Sequence, residues 1–212
     1  PTSPQAHIFV ARECRKIGVD FVSLAPRFIG EFQKGIDYIG DTNAFDRDIR
    51  VHAALSRKLG HKLSVHSGSD KFSVFPYIGR YTEGVFHIKT SGTSWLEALR
   101  VVARQDSRLF REIHDYAFSV FPKARTYYHV TTDLTSALSI EKLQDDELEE
   151  ALKNPANRQV LHISYGEMFK NSSLTQRFFR CLEQDISVYW DCLKNHIGEH
   201  LETLHCKKRG TE

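Results

Sequence analysis

The chain has 212 residues, 41% of them hydrophobic, with 29 basic and 27 acidic side chains and a formal net charge of +2. That is enough chain for one sizeable core and too even a charge for adhesion to a polyanion, so nucleic acid is excluded as an expected partner. No run approaches the roughly 20 apolar residues of a membrane span and nothing N-terminal reads as a signal peptide, so no membrane partner is expected and the expected location is the cytoplasm.

From the start, "AHIFVARECRKIG" predicts a helix with Val10, Cys14 and Ile17 on one face. There is no starting Met, and the chain is expected to begin partway through a larger protein. "DFVSLAP" predicts a first strand closed by Pro26. The helix predicted next, "TNAFDRDIRVHAALSRKLG", repeats Phe45, Ile49 and Ala53 at spacing four and stops at Gly60. "HKLSVHSG" and "VFHIKTSG" predict the second and third strands. Ser94 and Glu97 then have capping-box spacing ahead of "WLEALRVVARQ". A further helix, "DSRLFREIHDYAFSVF", is expected to stop at Pro122.

Residues 123–143 are polar and irregular and predict an excursion. An acidic helix, "DDELEEALKN", precedes "QVLHISYG", the expected fourth strand. Leu182, Ile186, Tyr189, Leu193, Ile197 and Leu201 keep spacings of three and four, which predicts one long C-terminal helix over 171–208. Cys14, Cys181, Cys192 and Cys206 lack CxxC spacing and read as free thiols. The one basic cluster is the tail "CKKRG".

Alternating strands and helices make the fold class α/β. One domain over 1–212 is expected, either an open doubly wound sheet or half of a (β/α)8 barrel. The chain has no GxGxxG, Walker A or GxSxG sequence, which shifts weight to the C-terminal half of a TIM-type barrel. Both architectures bind ligands where strands end, so residues 27–33, 66–71, 89–93 and 164–167 are the ones to examine.

Ser64 and His66 share a strand face, which points His66 inward as a candidate metal ligand; a satisfied core histidine is the plainer alternative. Ser67, Ser69, Asp70 and Lys71 supply hydroxyls and charges fit to hold a sugar-like ligand. The same residues also make an ordinary turn, with Ser69 or Asp70 capping "KFSVFPYIG". His87 and Lys89 share a face, and "KTSGT" adds the Thr90 hydroxyl. Lys89 can hold a carboxylate or polarise a carbonyl, or simply extend its charge to water. In "APRFIGEFQKG", Glu31 is an acid/base candidate and Arg27 a partner for an anionic group. His129, near Asp133, is a second candidate ligand.

Taken together, "FIGEFQKGIDYIGD", "LSVHSGSDKFSVFPYIG", "FHIKTSGTSWLEALRV", "YYHVTTDL" and "VLHISYG" resemble the C-terminal half of the tagaturonate epimerase family, bacterial enzymes of hexuronate breakdown. The resemblance implies a sugar-acid epimerase that depends on a divalent metal cation and interconverts tagaturonate and fructuronate. It makes Glu31 an acid/base candidate and His66, with His129, candidate ligands, with further ligands and a second acid/base residue expected from the N-terminal half. Family members are about twice this length, so an N-terminal half of the same protein, or a second copy, is the expected partner. Two alternatives stand beside it: another metal-dependent barrel isomerase or aldolase, and a carbohydrate-binding module without activity.

Overall fold

The structure, a computed structural model, describes residues 1–90 and 92–205. Ser91, Cys206 and the basic tail lie outside the described residues. The chain forms two compact units. Among the described residues, the first comprises 1–33, 37–90 and 198–205, and the second 34–36 and 92–197.

In the first unit, helix α1 (Pro4–Lys16) starts at Ser3, whose side chain accepts the Ala6 N–H. It buries His7 and Ala11. This corrects the expected face: Ile17 lies beyond the helix and is 77% exposed, and Val10 is exposed too. Strand β1 is short (Ser23–Leu24). Helix α2 (Thr42–Leu59) runs as its periodicity predicts, from an Asp41 cap to Gly60. There the chain turns left-handed at φ 70, a conformation glycine adopts without steric cost.

Strand β2 (Lys62–Val65) follows, then helix α3 (Phe75–Thr82) and strand β3 (Phe86–Ile88). The strands form one parallel sheet in the order β1-β2-β3. Leu63, Ser64 and Val65 are all buried, as a central parallel strand covered on both faces requires. Phe45 anchors the core, with the rings of Phe28, Tyr38 and Phe32 at 5.7, 5.3 and 5.8 Å. Truncating so enclosed a ring costs about 3–5 kcal/mol.

The second unit is helical. Helix α4 (Thr93–Gln105) begins at Gly92, without a side-chain cap. The expected capping box does not form, because the helix starts at Gly92 and Ser94 already lies in its first turn; Glu97 instead pairs with Arg100 at 2.9 Å. Helix α5 (Ser107–Ala124) continues through Pro122, contrary to the expected stop. Residues 134–136 and 140–142 form short 3-10 turns inside the irregular excursion. The acidic segment is a longer 3-10 helix, Asp145–Leu152.

The expected fourth strand is instead the middle of helix α6 (Pro155–Met168). Asn154 accepts the N–H groups of Ala156 and Asn157, and Pro155 occupies the first turn, where its missing donor costs nothing. The helix is buried nearly all round, so its apolar run carried no helical stripe. Inside the unit, Ser164 donates to the Ala117 carbonyl at 3.1 Å, and Trp95 Nε1 of α4 donates to the Leu161 carbonyl at 2.9 Å. The predicted long terminal helix is two, α7 (Ser172–Gln184) and α8 (Ile186–Thr203), broken at Asp185 where ψ is 64. Among the described residues no helix is long and apolar enough to cross a membrane.

Candidate functional site

Because the three strands run parallel, Leu24, Val65 and Ile88 end along one edge of the sheet. The loops leaving that edge are tied together by backbone. Lys89 N–H donates to the Val65 carbonyl and Gly68 N–H to the Lys89 carbonyl, each at 3.0 Å. A Cβ at Gly68 would strike the Ile88 side chain and approach the Val65 carbonyl, so only glycine lets the two segments meet. Ser67 and Asp70 both hold left-handed backbone, at φ 52 and 59. Such conformations cost on the order of 1 kcal/mol each and persist only when the surroundings enforce them.

Two side chains do the enforcing. Lys71 is fully buried, and its Nζ donates to the carbonyls of Ser69 at 2.8 Å and Gln33 at 2.9 Å. It thereby joins the turn after β2 to the loop after β1. His200, in the last turn of α8, accepts the Asp70 N–H on Nε2 at 3.1 Å. Its ring packs against Phe72 and Phe75.

The loop after β1 folds back on itself, with Glu31 and Ile39 pairing through N–H to carbonyl bonds of 2.8 and 3.2 Å. Tyr38 donates its hydroxyl to the Ile29 carbonyl at 3.1 Å. Burial, with Asp41 and Asp48 nearby, pushes its phenol above the ordinary range and keeps it a donor. The Arg27 guanidinium stands 3.9 Å from the Glu31 carboxylate. Both side chains are solvated, so this pair orients more than it stabilises.

All the predicted site residues except His129 lie in the first unit. Glu31 is half-buried, Ser69 and Asp70 are buried, Ser67 and Thr90 are half-buried, and Arg27, His66 and Lys89 are exposed. His66 is therefore presented outward at the strand end, whereas Ser64, expected on the same face, is buried and bonded to His87 Nδ1 at 2.8 Å. Lys71 is enclosed by carbonyls. Ser69 and Asp70 do not cap the following helix, which starts at Val74 without a side-chain bond. His129 is exposed in the second unit, and Asp133 caps the 3-10 turn at 134–136.

Sequence reasoning passed over His200. Its signal was the pair His196 and His200, four apart on a helix and so on one face, the spacing of paired metal ligands. One Asp70 carboxylate oxygen and one His200 ring nitrogen lie within 4.8 Å of each other.

A family model described as tagaturonate epimerase matches residues 1–204. A curated relative from Thermotoga maritima, named tagaturonate/fructuronate epimerase, is 44% identical over 205 residues. That match covers 96% of this chain and 43% of the relative. Crystal structures of the fructuronate-tagaturonate epimerase UxaE from Cohnella laeviribosi, a native form and one complexed with a single glycerol, superpose with a TM-score of 0.92 at 48% identity. They cover 97% of this chain, which spans 43% of theirs.

Proposed function

The chain belongs to the tagaturonate epimerase family, and on that premise we propose that it forms the C-terminal half of a cytoplasmic, barrel-type epimerase interconverting tagaturonate and fructuronate. The observation carrying this reading is the common edge where the loops holding Glu31, His66 and Lys89 are tied together by Lys71 and by the backbone of Gly68. The free thiols Cys14, Cys181 and Cys192 suit a reducing compartment.

The chemistry follows from the substrates. The centre that inverts lies one carbon beyond the position next to the ketone, so removing the proton beside the carbonyl does not reach it. In the proposed retro-aldol route, Glu31 takes the hydroxyl proton at that centre. The bond to the carbon beside the ketone then breaks, its electron pair forming an enediolate and leaving an aldehyde. Rotation of the aldehyde, re-formation of the same bond on the other face and return of the proton give the epimer, with no net oxidation.

Lys89 and Arg27 are exposed cations at the rim for the substrate carboxylate and the developing enediolate charge. Ser67, Ser69, Asp70 and Thr90 offer polar groups for hydroxyls, and Lys71 supports that loop from below. The donor chemistry of the first unit suits a divalent cation: His66 presents an outward imidazole at the strand end. Such a cation, when bound, polarises the ketone oxygen.

The test is turnover of fructuronate by the intact protein, stripped with chelator and resupplied with Mn²⁺, Ni²⁺ or Zn²⁺. Metal-restored epimerisation, lost in Glu31→Gln, supports the reading. Turnover of simple aldoses without uronates would replace it with a barrel isomerase, and ligand binding without turnover would replace it with a carbohydrate-binding role.

A further inference from the structure

Three buried histidines from three segments of the first unit meet away from the candidate site. His7 comes from α1, His52 from α2, and His61 immediately precedes β2, at the opposite end of that strand from His66. They are 1%, 0% and 6% exposed. His52 Nδ1 lies 2.8 Å from His7 Nδ1, and His7 Nε2 lies 3.0 Å from His61 Nε2.

The far end of this row determines every proton in it. His52 Nε2 lies 3.1 Å from the Thr2 carbonyl, which can only accept, so His52 carries its proton on Nε2. In the neutral ring Nδ1 is then an acceptor, so His7 must donate from Nδ1. His7 Nε2 is in turn an acceptor, and His61 donates from Nε2. The row ends at His61 Nδ1, which makes no hydrogen bond of ordinary geometry among the described residues, although the nearby Leu59 carbonyl favours charge on this ring. Three neutral rings thus make one directional chain.

Thr2 links this chain to the rim. Its N–H donates to the Arg27 carbonyl at 2.7 Å, and its hydroxyl accepts the Arg27 N–H at 2.8 Å. Arg27 begins the loop that carries Glu31.

We propose that His52, His7 and His61 form a pH-sensitive latch that holds α1 and Thr2 against Arg27 while all three rings are neutral, and whose opening takes up protons. The surrounding charges act on the two ends differently. Asp48 stands 3.6 Å from His52 and favours its charged form. The Arg15 guanidinium lies over Phe21, which packs on His61, and opposes charge there. Asp20, Arg57 and Lys62 line the adjoining cleft of about 430 Å³, with His61 in its wall.

Burial, reinforced by the two neighbouring rings, pushes His7 down to about 4. Burial also lowers His52 and His61, against the opposing pull of Asp48 and of the Leu59 carbonyl respectively. The released rings return to ordinary values near 6.5. Between about pH 6.5 and 4 the open form therefore binds more protons than the closed one, and opening becomes easier as pH falls.

Nitrogen-15 spectra of the imidazoles in the intact protein at pH 7 test the chain directly. The expected result is Nε2–H on His52 and His61 and Nδ1–H on His7. Protection of the α1 amides, corrected for intrinsic exchange, is expected to drop on the order of tenfold or more from pH 7 to 5.5. His7→Gln, whose amide can donate to His52 and accept from His61 without titrating, is expected to flatten that dependence. The opposite tautomers, a charged ring at pH 7, or pH-independent protection of α1 would overturn the proposal. If His7→Gln does not fold, the native protein's tautomers and exchange decide the matter. None of these readouts depends on the sugar-acid assignment.

Discussion

His200 holds Asp70 by its backbone: the imidazole Nε2 accepts the Asp70 N–H at 3.1 Å, and Asp70 keeps a left-handed φ of 59 beside it. Both residues are buried, so a substitution that removes the acceptor leaves a dry amide. His200→Leu, which keeps most of the bulk, should cost about 1–3 kcal/mol in urea unfolding. His200→Gln, with an amide oxygen near the place of Nε2, should recover part of it. If the two variants unfold alike, the bond to Asp70 is not what His200 contributes.

Lys71→Met should be among the most damaging changes in the first unit. The ammonium satisfies the carbonyls of Ser69 and Gln33 where water does not reach, and each such charged bond is worth about 1.5–3 kcal/mol. Unfolding titrations should show a loss of at least about 2 kcal/mol. Lys71→Arg should not rescue it, since the planar guanidinium is larger than the enclosed site. Near-native stability in Lys71→Met would remove the link assigned between the two loops.

Gly68→Ala tests how closely β2 and β3 must approach. The added methyl meets the Ile88 side chain and the Val65 carbonyl, so the Gly68 to Lys89 bond has to lengthen. A loss of about 1–3 kcal/mol is expected, the usual cost of overpacking. If the proposed function holds, the change should also weaken binding of the sugar acid by the intact protein, through the proposed Lys89 contact. Unchanged stability and KM together would refute the tight seam.

In the second unit, Glu149 joins Arg100 and Arg104 at 3.0 and 2.6 Å. Burial raises its carboxyl, but the bonds from the two guanidinium groups outweigh this and hold it below the ordinary value of 4.5. A carboxylate lowered by folding stabilises the native state above its unfolded value, and that contribution disappears as pH falls through the folded one. Stability should therefore drop below about pH 4.5. Glu149→Gln should be weaker at pH 7, by about 1 kcal/mol, and show a shallower acid limb. Parallel pH profiles for the two proteins would contradict this.

Much of the architecture is legible in local pattern, because α2, α4 and α5 show one apolar face and β2 and β3 are short runs bounded by turn residues. The errors share a cause. Residues 159–164 are buried in a helix, so no stripe separates them from a strand, and the Asn154-Pro155 start was the better guide. At 171–208 the apolar spacing continues across Asp185, while the backbone at that residue breaks it. Pro122 fits within α5 close to its end.

The chemically suited residue types at the ends of β1, β2 and β3 follow from alternation and turn composition, which are short-range properties of the chain. The same short-range reading placed Arg27, Glu31, His66 and Lys89 after strands, and that stands. Solvent exposure and partners followed from contacts between distant segments. Lys71 became an internal tie because two carbonyls surround it, and His200 came to Asp70 across 130 positions. The row of His52, His7 and His61 acquired its direction from the single carbonyl of Thr2. Hydrogen bonds inside a protein depend on where donors and acceptors meet in space, and apolar periodicity carries no record of that.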